Sequence, residues 1–243
     1  MAKRETEIIV EKLDVKNPVI LASFPGIGLV GTIASAHLIT EYKLDSIGYI
    51  DAKKIPPIAT LLDGIVIPPI RIYQVEDNEI IIIHSDIPIK EEVVYDLVHR
   101  IVEWASGINA RRILSMAGVA TFEGKNRVFG AATAPELLDE LKDYVEIFKT
   151  GTISGIAGSI LNECVIRRFP GLILLGETYG FNPDPRAAAQ VIEALNKIFG
   201  MDVGIERLIK EAEFIEAQMQ KLAEQTKVQE EKEPTREEFP MFG

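Results

Sequence analysis

The sequence predicts an α/β protein: a three-layer domain with a mixed, mostly parallel sheet and helices on both faces. Three observations point there. Continuous apolar runs at Pro18–Phe24, Ile80–Ile83 and Gly171–Gly176 mark strands buried on both faces. Stretches with helical apolar spacing alternate with such runs, the pattern of helices covering a sheet. The last of those helices is punctuated by Pro185 at its start and Gly200 just past its end.

Taken in order, Glu7–Leu13 alternates weakly and reads as an edge strand. Pro18–Phe24 breaks at Pro25-Gly26, and a helix follows from Gly28 to about Tyr42, with Leu29, Ile33, Ala36, His37 and Thr40 on one side. Ser46–Asp51 is the next strand, so the opening is a β-α-β unit with two parallel strands. Pro56-Pro57 and Pro68-Pro69 punctuate the next segment and bracket an apolar run, Leu61–Ile67. Ile70–Val75 and Ile80–His84 form a hairpin across the polar turn Glu76-Asp77-Asn78-Glu79. Glu91–Trp104 is an amphipathic helix that presents Val94, Leu97, Val98, Ile101 and Val102 inward and ends at Gly107. Strands follow at Arg111–Val119, Val128–Thr133 and Val145–Phe148, with a short helix opened by Pro135. The glycine-rich Gly151–Gly158 leads into a helix to about Arg168, and Gly171–Gly176 precedes the Asp184–Phe199 helix.

Beyond residue 200 the pattern changes. Ile205, Leu208, Ala212, Ile215, Met219 and Leu222 are spaced three and four apart, a coiled-coil seam of few heptads. That helix either packs back on its own domain or joins a second copy. The expected organisation is an α/β domain over 1–200, a coiled-coil-like helix over 201–226, and an acidic tail over 227–243. The tail is polar until Phe239-Pro240-Met241-Phe242-Gly243, where an aromatic and a carboxylate are either an anchor for a pocket elsewhere or a frayed terminus with a chance hydrophobe.

The net charge of −11 disfavours nucleic acid and anionic membranes and favours a basic partner surface. Cys164 is the single cysteine, which excludes an internal disulfide and suits a reducing cytosol. No stretch approaches the roughly 20 apolar residues of a membrane span. The expected location is cytoplasmic.

Candidate chemistry is sparse. Gly26, Gly28 and Gly31 fit G-x-G-x-x-G between a strand and a helix, with Asp51 ending the next strand. In a nucleotide- or nucleoside-binding enzyme those glycines admit a pyrophosphate and the acid holds a ribose hydroxyl. Alternatively the glycines serve a tight turn and close packing, and Pro25 removes a backbone donor at the loop entry. Gly151–Gly158 opens a helix and offers N–H groups to an anion, but carries no Walker-type lysine. His37, His84 and His99 have no metal-ligand spacing, so no metal site is expected. His84-Ser85-Asp86 fails as a relay, because adjacent strand residues face opposite ways. Glu177 and Glu123 read as acceptors that order loops.

Ser23-Phe-Pro-Gly-Ile-Gly-Leu-Val-Gly31, Gly151-Thr-Ile-Ser-Gly-Ile-Ala-Gly158 and Leu174-Leu-Gly-Glu-Thr-Tyr-Gly180, in that order, resemble the proteasome assembly chaperone family in its archaeal branch. The resemblance covers about residues 8–200. It implies a fold similar to purine nucleoside phosphorylases without their catalysis, self-association, and no cofactor. It also implies work on proteasome α-subunits or the assembled core particle. Proteasome-docking tails of this kind end in a hydrophobic residue, a tyrosine and any residue, with the carboxylate near a lysine between α-subunits. Met241 matches the first position and Gly243 supplies the carboxylate. Phe242 keeps the ring and loses the hydroxyl. The expected activity is therefore a non-enzymatic, ATP-independent chaperone or adaptor, and the alternative is the nucleotide-binding enzyme built on Gly26, Gly28, Gly31 and Asp51.

Overall fold

The computed structural model describes residues 5–77, 79–121, 126–180, 182–215 and 217. The elements run in the order β1 (Thr6–Val10), β2 (Val19–Ser23), α1 (Val30–Glu41), β3 (Ser46–Ala52), β4 (Thr60–Leu62), β5 (Ile65–Ile67), β6 (Ile70–Val75), β7 (Ile80–Ser85), α2 (Glu91–Gly107), β8 (Arg112–Ala120), β9 (Val128–Ala132), α3 (Pro135–Asp139), β10 (Glu146–Ile147), α4 (Gly155–Arg167), β11 (Gly171–Thr178) and α5 (Pro185–Phe199). A single 3-10 turn, Ile27–Leu29, precedes α1. Residues 206–215 are helical.

Nine strands form one sheet in the order β1-β3-β6-β7-β2-β8-β11-β9-β10. Its centre, β7-β2-β8-β11, is parallel. The flank β1-β3-β6-β7 is antiparallel throughout, and β9 runs against β11. The sheet is thus mixed, with its parallel character confined mainly to the middle. The two-residue period of the strands sorts their side chains into two cores. Val19, Leu21, Ile80, Ile82, Leu114 and Met116 pack with α1 and α5. Ile20, Ala22, Ile81, Ile83 and Ile113 pack with α2 on the other face. This is why these strands read as unbroken apolar runs rather than alternating ones.

Three local features refine the sequence pattern. The inward stripe of α1 is Val30, Gly31, Ala34, Ser35 and Leu38, with His37 beside it, whereas Ala36 and Thr40 are exposed. The helix starts at Val30 because Gly28 and Leu29 adopt left-handed backbone, and that start rotates the buried face. Second, the apolar run Leu61–Ile67 makes two short strands. Asp63-Gly64 turns it back on itself, and β4 pairs with β5 as a separate two-stranded hairpin. Asp-Gly with positive φ at both residues (49° and 80°) is the turn that matches strand twist. Third, the front of the predicted seam belongs to the body's own core. Leu208 is buried with α1 and α5, Ile205 packs against the same cluster, and Ala212 is buried. Met219 and Leu222 lie outside the described residues.

Candidate functional site

The three motifs singled out in the sequence converge at the carboxyl ends of the parallel strands. The turn after β2 and the loop before α4 face each other across a cavity of about 210 Å³, lined by Phe24, Gly26, Ile27, Ile153, Ser154 and Ala157 among others. Leu175 of β11 closes it. A larger cavity of about 440 Å³ lies beyond the end of β11. It is bounded by Thr178, Tyr179 and Gly180, by the start of α5, and by Ala212 and Ile215 of the helical 206–215 stretch. In open α/β sheets the carboxyl end is where ligands and partners are met.

The glycines have structural work at this edge. Gly28 sits at φ 63°, and a β-carbon there would come within 2.9 Å of the Thr178 hydroxyl oxygen. The Gly28 carbonyl accepts from the Asp184 N–H at 2.9 Å, which ties the β2 turn to the start of α5. Gly31 lies flat on β8, where a β-carbon would stand 2.1 Å from the Met116 carbonyl oxygen. Gly158 is equally close to the Ile153 carbonyl, so the glycine-rich loop also serves close packing. Asp51 is not brought to this edge. It lies on β3, exposed and opposite Glu7 of β1. β6 and β7 separate its strand from β2. In a dinucleotide site the acid would occupy the strand next to the glycine turn. Gly26, Gly28, Gly31 and Asp51 therefore do not assemble one.

A buried polar chain runs beside the turn, on the α1 face of β2, β7 and β6. Ser35 Oγ lies 2.8 Å from Ser23 Oγ and 2.8 Å from His84 Nδ1. His84 Nε2 is 3.0 Å from Asp86 Oδ1. The Arg71 guanidinium forks onto both Asp86 oxygens at 2.5 and 3.1 Å, and Arg71 Nε donates to the Tyr73 hydroxyl at 2.6 Å. The acceptor-only carboxylate places the His84 proton on Nε2 and leaves Nδ1 to accept from Ser35. Burial opposes ionisation of Asp86, but the hydrogen bond from His84 and the Arg71 fork outweigh it and hold its carboxyl well below the usual range. His84-Ser85-Asp86 forms no relay, as expected of adjacent residues, but His84 and Asp86 join a chain with another hydroxyl. His84 and Asp86 are two residues apart and share a face, while Ser85 turns away and donates to the Ile87 carbonyl. The hydroxyl comes from Ser35, fully buried on the inner face of α1. The chain fastens a loop: Arg71 Nη1 donates to the Pro68 carbonyl at 2.7 Å, and the Asp86 N–H to the Pro69 carbonyl at 2.9 Å.

Glu177 is a hydrogen-bond acceptor, as expected. Its buried carboxylate accepts from the Arg127 side chain and backbone N–H and from the Thr121 hydroxyl, and so joins Thr121 to Arg127. The ion pair and hydrogen bonds with Arg127 pull its pKa down to about 2. Arg127 also stacks 4.9 Å from the centre of the Phe129 ring. Glu123 lies outside the described residues, as do Met241, Phe242 and Gly243. His37 bonds the Gly204 carbonyl at 2.6 Å, and His99 pairs with Glu163. Among the described residues no group of three or more His, Cys, Asp or Glu is placed to hold a metal, and no helix is long and apolar enough to cross a membrane. Cys164 is free and buried, its thiol pushed up to about 12 by that burial.

Comparison with known proteins fits this geometry. An uncharacterized protein of Methanocaldococcus jannaschii is 40% identical over 231 residues, 95% of each chain. The crystal structure of Pyrococcus furiosus PbaA, an archaeal homolog of proteasome-assembly chaperone, superposes with a TM-score of 0.83 at 37% identity, covering 94% of this chain and 95% of that one. Pyrococcus furiosus PbaB, an archaeal proteasome activator, gives a TM-score of 0.81 at 26% identity over 91% of this chain and all of its own, 100%. The sequence model of the PAC2 family matches residues 20–223, and with them the two cavities, the glycine turn and the buried polar chain: this protein belongs to the PAC2 family.

Proposed function

We propose that this chain is an ATP-independent assembly chaperone or adaptor of the proteasome, a self-associating α/β body that docks its C-terminal residues into pockets of the α-ring. The observation that carries this reading is the likeness to PbaA, a homolog of proteasome-assembly chaperone, over nearly the whole of both chains. The likeness to PbaB extends the reading to the mature particle.

The chemistry of the ending supports docking. Thr226 to Glu238 is a polar, highly charged tether, followed by Phe239, Pro240, Met241, Phe242 and Gly243. A buried aromatic removes roughly 150–250 Å² from water, worth at most ~4–6 kcal/mol. Association and ordering of the tail subtract several kcal/mol, so one tail binds weakly. Several tails on one assembly gain affinity through effective concentration. Taken as a random coil, a stretch of this length would reach on the order of 20–25 Å, enough to seek pockets without strict alignment of the bodies.

The test is a pull-down of the full chain with separated proteasome α-subunits and with assembled core particle. Retention of either one supports the reading, and retention of neither rejects it.

A further inference from the structure

The hairpin β4–β5 stands out from the sheet between β3 and β6. It exposes Leu61 (65%), Leu62 (60%), Ile65 (67%) and Val66 (66%), with Ile58 beside them at 52%. The register places Leu61 opposite Val66 and Leu62 opposite Ile65. Side chains alternate along a strand, so one pair faces one way and the other pair the opposite way. Both faces of the hairpin are therefore apolar. A two-stranded hairpin with no core of its own is marginal in water, and one that is apolar on both sides needs cover on both sides.

We infer that this hairpin is the self-association element, seated reciprocally against a second copy of the same chain. The inference rests on the self-association within the function proposed above and names the surface that carries it. Three observations favour a second copy as the occupant. The first is charge. Between Lys54 and Arg71 the sequence carries one ionisable residue, Asp63 at the tip. Two bodies of net charge −11 repel, and a neutral protrusion lets them meet without opposing their acidic surfaces. The second is area. Five such side chains offer on the order of 400 Å² of apolar surface, at the scale of a functional patch. Reciprocal seating, counting the surface each hairpin covers, removes roughly 1,600 Å², the size of a stable specific interface. The third is anchoring. The exit of the hairpin is held by the buried polar chain, through Arg71 to the Pro68 carbonyl and the Asp86 N–H to the Pro69 carbonyl. A root fixed in this way presents the hairpin in one orientation, which lowers the ordering cost of association.

Sedimentation velocity on the full chain tests the inference. The quadruple variant Leu61→Ser, Leu62→Ser, Ile65→Ser, Val66→Ser removes the apolar faces. A second variant replaces residues 58–67 with a short glycine–serine linker, which removes the hairpin whether or not the serines disturb its strands. The wild-type chain is expected to sediment as a dimer or a multiple of it. Both variants are expected to fall to a smaller species, with native circular dichroism and a dissociation constant raised at least about a hundredfold. If either folded variant keeps the wild-type size, the hairpin is not the contact, although self-association stands. If the wild-type chain is itself monomeric at the highest attainable concentration, the hairpin inference and the self-association it rests on both fail. Proteasome retention is measured separately and does not depend on either result.

Discussion

Gly31 has no room for a side chain. A methyl group there would meet the Met116 carbonyl of β8 at 2.1 Å, and neither strand nor helix can move without opening the core. Gly31→Ala is expected to cost about 3 kcal/mol, read as a lower urea midpoint with an unchanged slope. Glu177 carries a pH signature. Its carboxyl titrates at about 2 in the folded protein against 4.5 ordinarily. A depressed acid stabilises above its unfolded pKa, and that stability is lost as pH falls toward the folded value. The contacts from Arg127 and Thr121 together therefore contribute at most about 3 kcal/mol at neutral pH, fading between about pH 5 and 2. Glu177→Gln should lower stability at pH 7 and flatten the acid limb of the unfolding profile over that window. At this scale the glycines were legible from their strand-to-helix context. The Ser35–His84–Asp86 chain was not. Ser35 and His84 are 49 residues apart, and no local spacing announces such a pair. Only the separation of two between His84 and Asp86 was available, and it was masked by the more conspicuous adjacency of Ser85.

Among elements, α5 was readable almost to the residue. Asp184 caps it by accepting from the Ala187 N–H, Pro185 takes the first position, and Gly200 closes it at φ 64°. The central strands were readable because both their faces are buried. The β4–β5 hairpin was missed as an element because its apolar residues do not alternate, and Asp63-Gly64 was the turn signal that could have found it. The stretch after α5 shows why a 3-4 spacing is ambiguous: the same spacing serves a seam with a partner and a face on one's own core. Leu208, 3% exposed, lies in the core cluster beneath α1 and α5. Leu208→Ala is expected to cost about 2–5 kcal/mol of folding stability by denaturant titration. It should leave the sedimentation coefficient of the folded protein unchanged, whereas a seam residue would lower it.

On the scale of the whole molecule, the parallel centre of the sheet gathers three sequence motifs at one edge, and the antiparallel flank carries an apolar hairpin away from it. That division was only partly legible. Local pattern places strands and helices, but β2 and β3, consecutive in the chain, end up with two strands between them. The nucleotide-site reading of Gly26, Gly28, Gly31 and Asp51 depended on those strands being neighbours. The proposed function joins a body that gathers copies to tails that bind. It turns on the ending Met241-Phe242-Gly243. The most direct measurement is the affinity of proteasome core particle for the intact chain and for the chain lacking those three residues, taken side by side at one salt concentration. Loss of the three residues is predicted to weaken binding by at least about a hundredfold, because the anchor is removed from every copy at once. Undiminished binding by the truncated chain would contradict the account.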